Sequence, residues 1–280
     1  MSDADSPDPE PAENISGGDA GGSSVAEFAP GDAATRAEAV VDRLGERYWQ
    51  KTYGGRDAFE CLVRTVLSQN TSDVASQPAH DALVERYGST SGGAEREDAD
   101  LAVALADADR EELADVIRPA GLYNQKSETL IRLADRVCEA YGGEDGFDEF
   151  VRKGEPSAVR DALLDMKGVG PKTADCVLLF AGGRAGVFPV DTHVHRIYRR
   201  LGVAPPDADH EAVRAVLERD VPAEKCGFGH TASIQFGREY CSARDPACLD
   251  GFEECPLSDV CDRVGVDVET GSVVDPADAD

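Results

Sequence analysis

The sequence predicts an all-α protein, and three observations carry that expectation. Apolar residues recur at helical spacing, as in Val40, Val41, Leu44 and Tyr48, and again in Phe59, Leu62, Val63, Val66 and Leu67. Leu163 to Leu201 reads as a helix, a four-residue hairpin (Lys167-Gly168-Val169-Gly170), a second helix, a short link, and a third helix opening at Asp191-Thr192. No apolar run approaches the roughly 20 residues of a membrane span. The N-terminus is acidic, unlike a basic-then-apolar signal, so an intracellular, cytoplasmic protein is expected.

Taken in order, residues 1–30 are rich in Asp, Ser, Pro, Gly and Ala without periodicity and read as a disordered acidic tail. A first helical stripe follows from Thr35 to Tyr53. Phe59 to Leu67 forms the second helix, in which Cys61 reads as core packing. That helix runs into Leu67-Ser68-Gln69-Asn70-Thr71-Ser72-Asp73, which on its own reads as a polar turn capped by Ser72. Pro78 predicts a kink or a late start in the next helix.

A polar insertion spans Ala94 to Asp100, and a helix is expected around Arg110 to Arg118. Gly121-Leu122-Tyr123-Asn124 suits a helix C-cap whose Leu and Tyr pack inward. Ser127 to Tyr141, Ser157 to Met166, Asp209 to Val221 and Lys225 to Tyr240 are further amphipathic helices. After Asp191, the third helix of the central stretch shows Arg196, Arg199 and Arg200, which suit phosphate contacts; Arg196, three residues after His193, equally suits an internal anchor.

The hairpin has a physical logic of its own. Two glycines two apart between helices permit positive φ and close approach of another backbone. Pro171 suits the first position of a new helix, where its missing N–H costs nothing. The N–H groups of the hairpin and of the helix start then point outward, a ready site for a phosphate, with Lys172 just beyond. Asp191 before an apolar-periodic run is a helix N-cap signal and sets a carboxylate at a helix start.

Charge and cysteines bound the function further. The formal net charge is −27, which by itself argues against nucleic acid. The excess is uneven, however: Met1 to Glu38 and Asp262 to Asp280 are acidic, while Lys167 to Arg200 holds six Lys/Arg against two Asp. The composition is similar to that of proteins from salt-loving archaea, where an acidic surface maintains solubility. At molar salt counterion release contributes little, so affinity is expected to lean on backbone N–H contacts, wedging and pocket fit. Of eight cysteines, four crowd together as Cys241, Cys248, Cys255 and Cys261. In an intracellular chain such crowding argues for metal, and four thiolates can hold a [4Fe-4S] cluster or a tetrahedral zinc.

Met166-Lys167-Gly168-Val169-Gly170-Pro171-Lys172-Thr173-Ala174 and, nineteen positions after the lysine, Val190-Asp191-Thr192-His193 together resemble the helix-hairpin-helix signature of the endonuclease III family of DNA glycosylases. The resemblance covers roughly Ala37 to Val264. It implies a two-lobed helix-hairpin-helix DNA glycosylase fold: a six-helix barrel domain over 51–185 and an iron-sulfur helical domain over 31–50 and 186–264, with 265–280 left as a disordered acidic tail.

It also implies roles for residues. Lys172 is the nucleophile at the sugar C1′ and Asp191 its anionic partner, the pair that cutting an N-glycosidic bond requires. Gln69 and Asn70 fill the gap left by an extruded base, Leu122 is an apolar minor-groove wedge, and Lys167, Gly168, Val169, Gly170 and Arg196 contact DNA. Cys241, Cys248, Cys255 and Cys261 hold a [4Fe-4S] cluster. The cysteine gaps are six, six and five residues, whereas the family has six, two and five, so the loop Leu249 to Glu254 is four residues longer. Added loop length costs little, and the ends can stay in place.

The activity implied is that of a bifunctional DNA glycosylase and AP lyase in base excision repair, acting as a nucleoid-associated monomer on double-stranded DNA with damaged bases or abasic sites, oxidised pyrimidines first. The residues leave uracil, thymine opposite guanine and oxidised guanine open as lesions. A monofunctional mismatch glycosylase usually carries another residue at the lysine position, so Lys172 speaks against it. A non-catalytic DNA-binding protein is the third reading, and it predicts binding to lesion DNA without an abasic product.

Overall fold

The computed structural model describes residues 27–48, 55–71, 73–88 and 100–279. Among these the chain is helical almost throughout, with one two-stranded hairpin near its end. It divides into two units: unit 1 includes Ser24–Lys51 and Ala185–Asp280, and unit 2 includes Thr52–Arg184. No helix among the described residues is long and apolar enough to cross a membrane.

Unit 2 carries α2 (Ala58–Ser68), α3 (Asp73–Tyr87), α4 (Leu101–Ala106), α5 (Arg110–Val116), α6 (Tyr123–Tyr141), α7 (Glu144–Lys153), α8 (Pro156–Leu164) and α9 (Pro171–Phe180). Asp57 caps α2 through the N–H groups of Phe59 and Glu60, and Asp100 and Asp109 cap α4 and α5 in the same way. α2 packs on α3, α7 and α9, and α6 packs on α4, α5 and α7. Phe59, Leu62, Leu67, Leu105, Leu113, Leu130, Phe147 and Phe180 are fully buried there. Burying side chains of this size stabilises by about 1.5–3 kcal/mol each before entropy is counted, so the unit has a core of its own.

Three sequence expectations change here. α3 runs through Pro78 from Asp73, so the late start does not occur, and Pro78 itself is exposed. α4 and α7 were not anticipated. α7 is short and acidic, and only Phe147 and Val151, one turn apart, are buried. Ser72 and the insertion 94–99 lie outside the described residues.

Unit 1 joins the two ends of the chain. α1 (Arg36–Arg47) packs on α11 (His210–Asp220) and α12 (Ala223–Glu239), and α10 (Thr192–Arg200) packs on both of these as well. Val40, Val41, Leu44, Val194, Ile197, Tyr198 and Phe236 form the core. Polar ties reinforce the union: Thr35 Oγ1 donates to the carbonyl of Asp220 at 2.5 Å, and the Arg36 guanidinium reaches both carboxylate oxygens of Asp262 at 2.7 and 2.8 Å. Lys225 lies between Asp42 (2.7 Å) and Glu38 (2.8 Å).

The tails also depart from expectation. Phe28 lies against Phe228 with ring centroids 4.5 Å apart, so 27–30 are packed, while 1–26 lie outside the described residues. Residues 265–280 do not form a disordered tail over the part described. β1 (Val266–Asp267) pairs antiparallel with β2 (Ser272–Val273), Pro276 is buried, and Asp275 pairs with Arg199 at 2.5 Å. The acidic composition hid an acid with a cation to meet.

Candidate active site

The hairpin expected from the sequence connects α8 to α9 in unit 2. Gly168 adopts φ +105°, and a Cβ there would lie 2.6 Å from Thr129 Cγ2, so glycine is required on two counts. Gly170 is the N-cap of α9, Pro171 its first residue, and no side chain caps the helix. The start of α9 is therefore left without a side-chain oxygen to accept its N–H groups, the arrangement that favours an anion. Lys172, the second residue of α9, is half-buried.

The contributions expected from the hairpin residues are unequal. Lys167 and Gly168 are exposed. Val169 is buried, and its N–H is donated to the carbonyl of Met166 at 3.0 Å, so the DNA contact expected of Val169 gives way to a structural role. Gln69 is bound to the hairpin: its Nε2 donates to the carbonyl of Gly168 and to Thr173 Oγ1, each at 3.2 Å. It braces α9 from the loop after α2, and its amide nitrogen is not left to fill a gap.

Asn70 and Leu122 are displayed instead. Asn70 is exposed with φ +53°, and Leu122 is 52% exposed with φ +49° as the N-cap of α6. A non-glycine residue in the left-handed region costs on the order of 1–2 kcal/mol, more for leucine than for asparagine. Of the described non-glycine residues, only these two and Arg263 adopt positive φ. The inward-packing alternative for Leu122 does not hold, and Tyr123 instead lies under the Arg118 guanidinium at 4.7 Å. Both wedge candidates are thus held outward against backbone preference. Beneath their loops lies Lys126, which the sequence reading passed over.

In unit 1, Asp191 caps α10 as expected. Its Oδ1 accepts the N–H of Val194 at 2.9 Å and its carbonyl accepts that of His195 at 2.9 Å, which fixes the orientation of a half-buried carboxylate. The arginines that follow do not serve as surface cations. Arg196 donates to the carbonyl of Cys241 at 2.7 and 3.1 Å and lies against His193 Nδ1 at 3.1 Å. Burial lowers its pKa, with the neighbouring Arg200 adding to the effect. Arg199 donates to the carbonyl of Pro206 at 2.6 Å, and Arg200 to those of Ser242 and Ala243 at 2.6 and 2.7 Å. Arg196 takes the internal-anchor role that its spacing from His193 also allows, and the phosphate contacts expected of it and of Arg199 and Arg200 give way to these internal bonds. Arg196 and Arg200 tie α10 to the cysteine loop, and Arg199 ties it to Pro206 and Asp275.

That loop gathers all four clustered cysteines. Cys241, Cys248, Cys255 and Cys261 line one pocket together with Ile197, Arg200, Leu201, Phe236, Leu257 and Val266. Burial pushes the Cys255 and Cys261 thiols up to about 11. Among the described residues no three His, Cys, Asp or Glu side chains converge as one metal ion requires. Arg200 Nη1 and the Arg263 N–H lie 3.6 and 3.3 Å from the sulfurs of Cys241 and Cys261, donors of the kind that tune thiolate ligands. The lengthened loop folds into two 3-10 turns, Ala247–Leu249 and Phe252–Glu254, and the Arg263 guanidinium covers the Phe252 ring at 4.5 Å.

Residues 63–223 match the family described as HhH-GPD superfamily base excision DNA repair protein. The chain is 33% identical to Endonuclease III of Thermotoga maritima over 209 residues, which is 74% of this chain and 83% of that relative. It is 34% identical to Endonuclease III of Bacillus subtilis over 203 residues, 72% and 80% of the two chains. The fold is similar to that in the structure of a trapped Endonuclease III-DNA covalent intermediate, with a TM-score of 0.60 and 30% identity over 75% of this chain and 86% of that one. A thermostable thymine-DNA glycosylase gives a TM-score of 0.63 at 23% identity over 81% and 96%, a likeness of fold alone.

Proposed function

This chain belongs to the HhH-GPD superfamily of base excision DNA repair proteins, and from that premise we propose that Lys172 and Asp191 are its catalytic pair and oxidised pyrimidines its substrates. It is a base excision repair DNA glycosylase of the endonuclease III kind, bifunctional with AP lyase activity, and its partner is double-stranded DNA. The observation that carries the residue assignment is a lysine in the first turn of the uncapped helix behind the hairpin, in a chain that also sets an aspartate at the start of α10.

The chemistry follows from those groups. A phosphate of the bent duplex is held at the hairpin, Asn70 and Leu122 occupy the disturbed stack, and the damaged nucleotide is extruded. The Lys172 amine bonds to C1′ as the C1′–N bond breaks, and the base leaves with that electron pair and acquires a proton. The Asp191 carboxylate stabilises the positive charge that develops on the sugar. Opening of the sugar ring gives an imine between Lys172 and C1′. Loss of a C2′ proton then expels the 3′ phosphate, which nicks the strand.

A panel of single-lesion duplexes incubated with the protein at high salt tests the substrate class. Oxidised pyrimidine duplexes are expected to be nicked at the lesion; a protein that processes uracil or oxidised guanine alone would overturn this substrate assignment.

Cys241, Cys248, Cys255 and Cys261 would hold a [4Fe-4S] cluster, which when bound would cross-link the C-terminal loop and take no part in base removal. Anaerobically purified protein is expected to be yellow-brown and to lose its visible absorbance on Cys255→Ala. A colourless protein with stoichiometric zinc would contradict this.

A further inference from the structure

Lys126 is 5% exposed, and among the described residues no carboxylate pairs with it. A buried ammonium without a counter-ion is costly unless each of its N–H groups finds an acceptor. Here three do. Lys126 Nζ donates to the carbonyl of Leu67 at 2.7 Å, to Thr71 Oγ1 at 2.8 Å and to the carbonyl of Ala120 at 2.8 Å. Thr71 Oγ1 in turn bonds the carbonyl of Ala120, closing the link between two loops some fifty residues apart in sequence.

The positions of these acceptors matter. Leu67 and Thr71 bracket Asn70, and Ala120 lies two residues before Leu122. Among the described residues Asn70 and Leu122 are the exposed non-glycine residues held at positive φ. We infer that Lys126 is a positioning residue for DNA engagement: its ammonium fastens the Asn70 loop to the Leu122 loop and so sets the spacing of the two side chains that enter the duplex. The inference rests on the glycosylase reading, in which those side chains face DNA. Lys126 itself touches neither DNA nor the reacting atoms. It acts by removing freedom from the two loops before binding, so that less ordering is needed on contact.

Lys126→Met keeps an unbranched apolar stem, one atom shorter, and removes all three donors. With full-length protein and a duplex bearing a non-cleavable abasic analogue, Lys126→Met is expected to weaken binding roughly 10- to 100-fold. The single-turnover rate at saturating enzyme should stay within a few-fold of wild type. 2-Aminopurine placed beside the lesion should brighten with wild type and much less with Lys126→Met. In a Leu122→Ala background the effect of Lys126→Met on binding should shrink, because the residue acts through that loop. A purely structural lysine would lower the melting temperature and add its effect in full in that background.

Unchanged affinity and 2-aminopurine signal in a folded Lys126→Met overturns the inference, as does full additivity with Leu122→Ala. Should Lys126→Met fail to fold, Thr71→Val decides: it keeps the lysine and both carbonyl anchors and removes the hydroxyl between the loops. A several-fold loss of affinity is expected, and no loss would refute the role. Wild-type protein that processes no lesion at all would refute the glycosylase reading instead.

Discussion

Lys172→Ala is expected to abolish both the borohydride-trapped protein–DNA adduct and strand nicking, a loss of at least about a thousandfold, since the amine is the group that bonds to the sugar. The substitution should leave the fold intact. Lys172 is half-buried in the first turn of α9, and that turn has further supports: Pro171 presets its dihedral, and Gln69 holds Gly168 and Thr173. Binding to abasic-analogue duplex and the melting temperature should therefore remain near wild type. Lys167→Ala is the control, because Lys167 is an exposed lysine on the same hairpin and its loss should weaken binding modestly while the adduct still forms. An adduct that persists in Lys172→Ala means that another amine is the nucleophile, and the mechanism falls with it.

The second large effect concerns stability. Lys225 is the only described cation that meets Asp42, with Nζ at 2.7 Å from Oδ1 and 3.0 Å from Oδ2, and Asp42 is fully buried. Removing one partner of a buried pair leaves the other uncompensated, at a cost of about 3–5 kcal/mol. Lys225→Met should thus lower the melting temperature by roughly 10 °C in unit 1. Lys225→Met combined with Asp42→Leu should recover much of it, since the orphaned charge is gone. A melting temperature within a degree of wild type for the single variant would show that the triad contributes little.

The same triad gives a pH dependence. The hydrogen bond from Lys225, opposed by desolvation, holds the Glu38 carboxyl below its ordinary value. A carboxyl with a lowered pKa in the folded state stabilises above its unfolded value and loses that contribution as the pH falls through the folded one. Acid unfolding of wild type should therefore have a component that Glu38→Gln lacks.

What could be read from the sequence was what is settled locally. The hairpin, the cap at Asp191 and the apolar stripes of α1, α2, α6 and α10 depend on residues within a turn or two of each other, so spacing alone exposes them. Spacing from His193 exposes the anchoring role of Arg196, whereas Arg199 and Arg200 are not legible because their acceptors lie on other stretches, at Pro206, Ser242, Ala243 and Asp275. A helix wheel marks such arginines as solvated, and only the tertiary fold supplies the carbonyls. Lys126 escaped for the same reason, its three acceptors being set by two loops and not by its own helix. Residues 265–280 were misjudged on composition, which weighs charge and not pairing. The Asn70 and Leu122 loops were legible by motif, but their left-handed backbone was not, because neither residue type announces it.

The two-part composition of unit 1 bears on how the chain is made. During synthesis the ribosome delivers α1 first, then the whole of unit 2, and only afterwards α11 and α12, on which α1 packs. Unit 2 can consolidate as one uninterrupted nascent segment, while Val40, Val41 and Leu44 stay without their partners until the chain has passed Glu239. Translation that stalls ahead of His210 therefore releases a polypeptide with a finished hairpin domain and a bare greasy helix at its front, fit for capture by quality control.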